Sequence, residues 1–230
     1  MGTFELSTQE VDTSPETAPN PAFDRPLDWV IGGALGVLGL LAALGGAVFY
    51  FGIDRSEIAR LIRERGFQSD MLTEAEAISA TVSLGEWGGL GLVAAGIYTV
   101  LLGVAVVVAH GRARRSGRRT PRWIVGVAGA VVNVVLSVIP LSPLLGGGTA
   151  GYLSADRETS GIAAGTFAGL FTIIPALIGL VFVSVGVFTG FPESMKATGV
   201  VVLAIVAALT TTYFVGLSAL GGYIGRQLQS

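Results

Sequence analysis

Asn133 is the side chain of this sequence best placed for polar chemistry in an apolar setting. It is the only Asn, Gln, Asp or Glu deep within a long uncharged stretch. Ser137 follows one helical turn later, and Thr210–Thr212 lie in the middle of another stretch. Amide and hydroxyl groups in such settings usually hydrogen-bond between neighbouring helices. The sharper alternative is that Asn133 and the threonine cluster bind a polar substrate.

Pro140, Pro143 and Gly147 interrupt the stretch that contains Asn133. Each proline lacks an amide hydrogen and biases the preceding residue away from helix. We therefore expect one helix over about residues 123–139 and a short one over about residues 143–154. The short helix either crosses back, forms a re-entrant half-helix or lies flat. Since discontinuous helices mark binding sites in transporters, these three residues join Asn133 as a candidate polar, broken-helix site.

Patterns for catalysis or metal binding are scarce. The chain has no cysteine, which excludes disulfides and thiolate chemistry, and a single histidine, His110. No zinc-protease, nucleophile-elbow or phosphate-loop motif occurs. We interpret His110 as a solvated residue at the end of a membrane helix. The sequence therefore predicts that the protein is not an enzyme and has no catalytic, cofactor or metal site.

Five stretches without Asp, Glu, Lys or Arg determine the predicted fold class. A charge at the centre of a bilayer costs at least a few kcal/mol, and about 20 helical residues cross its ~30 Å hydrocarbon core. The chain is therefore predicted to be an all-α, polytopic transmembrane helix bundle of five to six segments, one of them short and interrupted by proline and glycine. The uncharged stretches are Trp29–Ile53, Trp87–Ala109, Trp123–Ala155, Thr159–Pro192 and Ala197–Gly225.

The loop 111–122 is the strongest topological signal, because it holds six arginines and no acid. Short basic loops stay cytoplasmic, which places the N-terminus and, by a weaker count of charges, the C-terminus in the cytoplasm. Residues 54–86 are then extracytoplasmic, and two capping-box spacings predict helices over about 55–65 and 73–84. A binding site for anionic lipid head groups is the alternative use of the loop. Its arginines are Arg112, Arg114, Arg115, Arg118, Arg119 and Arg122.

Two membrane parts follow an N-terminal tail. Residues 1–28 carry six acids against one base and are predicted to be a disordered cytoplasmic tail. Residues 29–110 are predicted to form a two-helix transmembrane hairpin, and residues 123–228 a glycine-rich domain of four membrane segments. In that domain Ser160 is expected to cap a helix that ends at Gly190.

Gly161, Gly165 and Gly169 form a glycine triple at four-residue spacing. Small residues at this spacing let membrane helices approach closely, so this face is predicted to make the tightest helix contact. The contact could lie within the chain or between copies. Because the net charge is only −2, nucleic acid is not an expected partner. The expected partners are the lipid bilayer and, as a possibility, a second copy or another membrane protein.

The segment 140–170 resembles a family of small archaeal multi-pass membrane proteins of unknown function. The resemblance covers about residues 122–228 and implies a four-helix membrane unit without a known activity. A halophilic archaeal source would fit the 13 arginines against one lysine. The matching elements are Pro140-x-x-Pro143, Gly147–Gly148 leading into Ala150–Leu153, a short charged turn and the glycine triple.

The leading functional hypothesis is a non-enzymatic structural or interaction protein of the cell membrane that packs through small-residue helix faces. The alternative is a small-solute transporter or channel that uses the broken helix at residues 140–148. Coupled transporters place ionisable residues within the membrane, and the predicted spans hold none except near their ends. A hydrated cavity beside Asn133 would favour transport, whereas a dry interior would favour the structural role.

Overall fold

A computed structural model of the protein describes residues 25–66, 69, 71–116, 122–154 and 160–228. Within these residues the fold is all-α, without a strand. The helices are α1 Arg25–Gly52, α2 Arg55–Glu64, α3 Glu74–Arg115, α4 Arg122–Val135, α5 Ser142–Leu153, α6 Gly161–Gly190 and α7 Glu193–Gln227. Four of them, α1, α3, α6 and α7, are long and apolar enough to cross a membrane. The expected all-α class is therefore confirmed, and the described residues hold four candidate membrane spans, where five to six membrane segments were predicted.

The hairpin of α1 and α3 is built on glycines that face one another. A Cβ placed on Gly39 would lie 2.6 Å from the Gly96 carbonyl oxygen, and one placed on Gly96 would lie 2.5 Å from that of Gly39. The two backbones therefore touch with no side chain between them. The contacting glycines repeat every seven residues on each helix, the spacing that keeps one face of a helix against its partner. The three antiparallel pairs are Gly32 with Gly103, Gly39 with Gly96 and Gly46 with Gly89.

α3 is longer than the sequence predicted. One helix runs from Glu74 to Arg115, so the expected outer helix 73–84 and the expected span 87–109 are continuous. The prediction of two separate helices was wrong. Nothing between them stops a helix, because no proline intervenes and a helical glycine costs only about 1 kcal/mol. Packing of α3 against both α1 and α6 offsets that cost.

Two capping boxes were predicted at helix starts within residues 54–86, and the structure has one of them. The Thr73 amide donates to Glu76 Oε2 at 2.8 Å and the Glu76 amide to Thr73 Oγ1 at 3.3 Å, which confirms the second box. Donation to the Glu76 carboxylate by the Thr73 amide and by the Thr73 hydroxyl lowers the pKa of Glu76. At the first, Asp54 accepts from the Ser56 amide instead, and Glu57 pairs with Arg60. The Glu57 carboxylate thus pairs with Arg60 instead of completing the predicted capping box.

α2 packs along the part of α3 that precedes Trp87. Its apolar face forms a small core with α3, made of Ala59, Ile78 and Val82. The helix ends where Gly66 adopts a φ of +64°, a left-handed conformation that favours glycine. The apolar face of α2 therefore covers α3, a helix of its own bundle.

α4 and α5 form a short helical hairpin beside α6 and α7. α4 ends at Val135 rather than near residue 139, and after a turn over residues 136–141 the chain returns as α5. With 14 and 12 residues, these helices are only about 21 and 18 Å long. α6 and α7 have 30 and 35 residues, and α6 continues through Pro175.

The α1–α3 hairpin meets the rest of the molecule differently at its two ends. Near the start of α3, a Cβ placed on Gly190 of α6 would lie 3.1 Å from the Ala80 Cα, so α3 and α6 touch directly. Near the end of α3, α4 lies between them. There Val106 of α3 and Ile124 of α4 share a core cluster, against which Phe171 of α6 packs.

Candidate functional site

Asn133 lies where α4, α5, α6 and α7 meet, and only 1% of it is exposed. Its Nδ2 donates to Thr172 Oγ1 on α6 at 2.9 Å and to Ser218 Oγ on α7 at 3.4 Å. The Ser218 hydroxyl in turn donates to the Pro143 carbonyl of α5 at 2.9 Å. One hydrogen-bonded network, the polar junction (Asn133, Pro143, Thr172 and Ser218), thus joins all four helices.

Counting hydrogens fixes the orientation of the Asn133 amide. The Thr172 hydroxyl donates its only hydrogen to the Ala168 carbonyl at 2.8 Å, and the Ser218 hydroxyl donates its own to Pro143. Both hydroxyls must therefore accept from Asn133, and only its NH₂ group can donate. The Oδ1 atom is left without a hydrogen-bond partner among the described residues.

Asn133 Oδ1 faces the backbone of Gly146 on α5. A Cβ on Gly146 would overlap this oxygen, so a Gly146 α-hydrogen points at it instead. A Cα–H group in this position is a weak donor to oxygen. The contact also shows that no ligand-sized space separates α4 from α5 at this level.

Glycines of α5 and α6 hold α7 from two sides at the polar junction. A Cβ on either Gly147 or Gly165 would overlap the Ser218 carbonyl oxygen. The structure places the whole glycine triple against α7 of the same chain. Gly161 faces the Gly222 carbonyl, and a Cβ on Gly169 would lie 2.7 Å from the Val215 Cα. This approach of backbones is what small residues permit between membrane helices.

Residues 123–228 match the family of unknown function DUF5518. The match begins within α4 and ends after α7, so it contains the whole polar junction. The resemblance of about residues 122–228 to a family of unknown function is thereby supported, while an archaeal source stays a prediction. No curated protein and no solved structure matches the chain.

In residues 123–228, the DUF5518 segment, the polar partners of Asn133 differ from those expected. Thr210–Thr212 take no part in the junction's hydrogen bonds, and Ser137 is exposed in the turn after α4. Sequence reasoning missed Thr172 and Ser218. The sequence did carry a signal for both, because each continues a row of small residues at helical spacing. Thr172 follows Gly169 by three positions, and Ser218 precedes Gly222 by four.

Pro140 and Pro143 take different places in the DUF5518 segment. Pro143 is buried in the first turn of α5 and supplies the carbonyl that accepts from Ser218. Pro140 is exposed in the preceding turn, where its carbonyl accepts from the Tyr213 hydroxyl of α7. Each proline thus leaves a backbone carbonyl facing α7, and a side chain of that helix satisfies it.

The expected solvated histidine is buried. His110 lies near the end of α3 with 2% of its surface exposed, so its interpretation as a solvated residue was wrong. Helix α3 continues five residues beyond it, to Arg115, which keeps this position within the packed part of the helix. Among the described residues no group of three or more His, Cys, Asp or Glu side chains could hold a metal.

Only part of the basic loop belongs to the described structure. Arg112 and Arg115 lie in the last turns of α3 and are exposed, and Arg114 and Arg122 belong to helices α3 and α4. Arg118 and Arg119 lie outside the described residues, as does the predicted tail up to residue 24. The last four residues of that tail, 25–28, are helical, because α1 begins at Arg25.

Proposed function

We propose that the protein is an integral protein of the cell membrane with a structural or interaction role, and neither an enzyme nor a transporter. The observation that carries this proposal is the filled polar junction. Asn133 and Ser218 are 1% and 0% exposed. Both Asn133 amide hydrogens and the Ser218 hydroxyl hydrogen are used between helices, and the Thr172 hydroxyl donates within α6. Groups committed in this way stabilise a bundle and are not free to bind a passing solute.

The distribution of charge supports an orientation with both termini in the cytoplasm. By their place in the helix order, nine of the 14 basic residues, among them the six arginines of the loop 111–122, adjoin one end of the bundle, and five adjoin the other: Arg55, Arg60, Arg63, Arg65 and Lys196. Lys and Arg near the ends of membrane helices favour the cytoplasmic side. The bilayer is then the main partner. Since the glycine triple is occupied within the chain, association with a second copy or another protein would use a different face.

Thiol accessibility tests the proposal, because the natural chain has no cysteine to interfere. The variant Ser218→Cys is reconstituted in vesicles and treated with a membrane-impermeant thiol reagent. We expect no reaction until the protein is unfolded in denaturant. Ser116→Cys and Ser69→Cys, whose side chains are exposed, are the controls and should react from the cytoplasmic and the opposite side respectively.

Transport of a small solute is the competing function, and one observation favours it. Asn133 Oδ1 is a buried acceptor without a hydrogen-bond partner, next to a hairpin that turns at Pro140. If that oxygen served a solute, water would reach the junction in some state of the protein. Reaction of Ser218→Cys in intact vesicles would therefore overturn the structural role. Reversed reactivity of the Ser116 and Ser69 variants would overturn the orientation alone.

A further inference from the structure

We propose that the protein is a wedge in the membrane, wider in the leaflet that adjoins the loop 111–122, and that it concentrates where this leaflet is on the convex side. The inference rests on the proposed membrane insertion. It is carried by the short α4–α5 hairpin, which enters the bundle from one end only.

The polar junction lies halfway across the bundle. The ring of Trp87 on α3 lies 6.2 Å from that of Phe182 on α6, and Trp residues mark the edge of the hydrocarbon core. From Gly161 to Phe182, α6 rises about 32 Å, close to the ~30 Å thickness of that core. Thr172 stands about 17 Å along this path. Its hydrogen bond to Asn133 therefore places the end of α4 near the midplane.

The tip of the hairpin has the surface of a segment that ends among lipid chains. Val138, in the turn between α4 and α5, is 90% exposed, and Val135 and Leu141 are more than half exposed. The Pro140 carbonyl of this turn accepts from the Tyr213 hydroxyl, in the middle third of α7. Backbone among lipid chains is tolerated where its polar groups have partners within the protein, as this carbonyl does.

The number of helices therefore differs between the leaflets. Six helices, α1, α3, α4, α5, α6 and α7, fill the leaflet next to the loop 111–122, and four fill the other. In the four-helix leaflet α3 touches α6 directly, with the Gly91 Cβ position 3.1 Å from the Gly179 Cα. At the six-helix end α4 separates them through Val106, Ile124 and Phe171. Since each helix is about 10 Å wide, the cross-section narrows by the area of two helices.

A body of this shape prefers a curved bilayer. In a flat membrane the lipids of the four-helix leaflet must fill the space that α4 and α5 leave beyond their tip, and such deformations of lipid packing cost free energy. Curvature that expands the six-helix leaflet reduces the mismatch. The preferred location is thus a membrane whose convex face carries the loop 111–122.

The depth of the hairpin is tested first, with Val138→Cys carrying a fluorophore. This position is exposed, so the substitution disturbs no packing. In vesicles the fluorescence should be quenched strongly by lipids brominated near the ends of their chains and weakly by head-group quenchers. The same label on Ser116→Cys should show the reverse preference. Head-group quenching at position 138 would mean that α4 reaches the opposite surface, and the wedge would be ruled out.

The preference for curvature is tested with membrane tubes pulled outward from giant vesicles. An impermeant dye added outside labels Ser116→Cys only in molecules whose loop faces outward, and labels Ser69→Cys only in molecules of the opposite orientation. We expect the first population to be enriched severalfold on narrow tubes relative to the flat membrane, and the second to be depleted. Equal densities of the two populations would overturn the wedge.

The same preparation separates the wedge from the proposed function. If the protein is removed from vesicles by an alkaline wash, membrane insertion itself fails. If it stays with the vesicles and the two orientations distribute alike, only the wedge fails. The two labelled variants differ only in which orientation of the protein the dye detects. Crowding or dye chemistry would therefore change the densities of both populations on the tubes in the same direction.

Discussion

The α1–α3 hairpin and the DUF5518 segment both bring helix backbones into contact through glycine, but they differ in what surrounds the contact. In the hairpin, glycine faces glycine at seven-residue spacing, as at Gly39 and Gly96, and the outward side of α1 is exposed. In the segment, α7 is held at Ser218 by Gly147 and Gly165 together. The hairpin can therefore yield to an added atom by moving α1 outward, whereas α7 can move outward only by leaving both α5 and α6 and breaking the polar junction.

The two regions also differ in polarity. The three glycine pairs join α1 to α3 through van der Waals contact between backbones. The DUF5518 segment adds the polar junction, whose bonds join helices 39 and 85 residues apart in sequence. Hydrogen bonds fix the register of helices more sharply than apolar contact does, since they depend on direction as well as distance. The segment is expected to be the more rigid part.

The largest effect is expected for Gly165→Leu. Its Cβ would overlap the Ser218 carbonyl, which Gly147 blocks from the other side, so α6 and α7 must separate and break the polar junction. We expect the free energy of unfolding in detergent to fall by about 3 kcal/mol or more. Gly216→Leu on α7 is the control, because no atom lies within 4 Å of its Cβ position. Equal stability of the two variants would contradict the conclusion that the glycines of α5 and α6 together hold α7 at Ser218.

A smaller effect is expected for Gly39→Leu in the hairpin. The clash with the Gly96 carbonyl is similar in kind, but α1 can tilt away from α3 into lipid. Denaturant titration should show a loss of about 1–2 kcal/mol, the lower part of the range for overpacking. Gly36→Leu on the same helix has open space at its Cβ position and should be nearly neutral. A loss larger than that of Gly165→Leu would reverse the proposed order of rigidity.

The smallest effect is expected for Glu76→Gln at the start of α3. The amide and hydroxyl of Thr73 lower the pKa of Glu76 below its ordinary value of 4.5. The carboxylate therefore stabilises the helix start above that pH, and the contribution is lost as the pH falls through the lowered pKa. The protection factors of the backbone amides at residues 76 and 77, which correct for the intrinsic exchange rate, should fall on acidification, and in Glu76→Gln they should be lowered already at neutral pH. Glu86→Gln should leave these protection factors unchanged.

Features that depend on neighbouring residues were predicted from the sequence. The uncharged stretches indicated the all-α class, Ser160 and Gly190 bound α6, and Thr73 with Glu76 began α3. Each follows from the requirement that a backbone group at a helix end, or in lipid, find a nearby partner. The prolines likewise indicated the break between α4 and α5, though α4 ends four residues early.

Features that depend on which helices meet were decided only by the tertiary structure. The heptad glycines of α1 and α3 are visible in the sequence, but only the antiparallel register pairs Gly39 with Gly96. Nothing near Asn133 in sequence indicates Thr172 or Ser218 as its partners, and nothing near His110 indicates burial. The sequence by itself determined that the long helices are apolar enough to cross a membrane, because charged residues are excluded from them. The packing determined what their few polar groups do, because the partners of these groups lie on other helices.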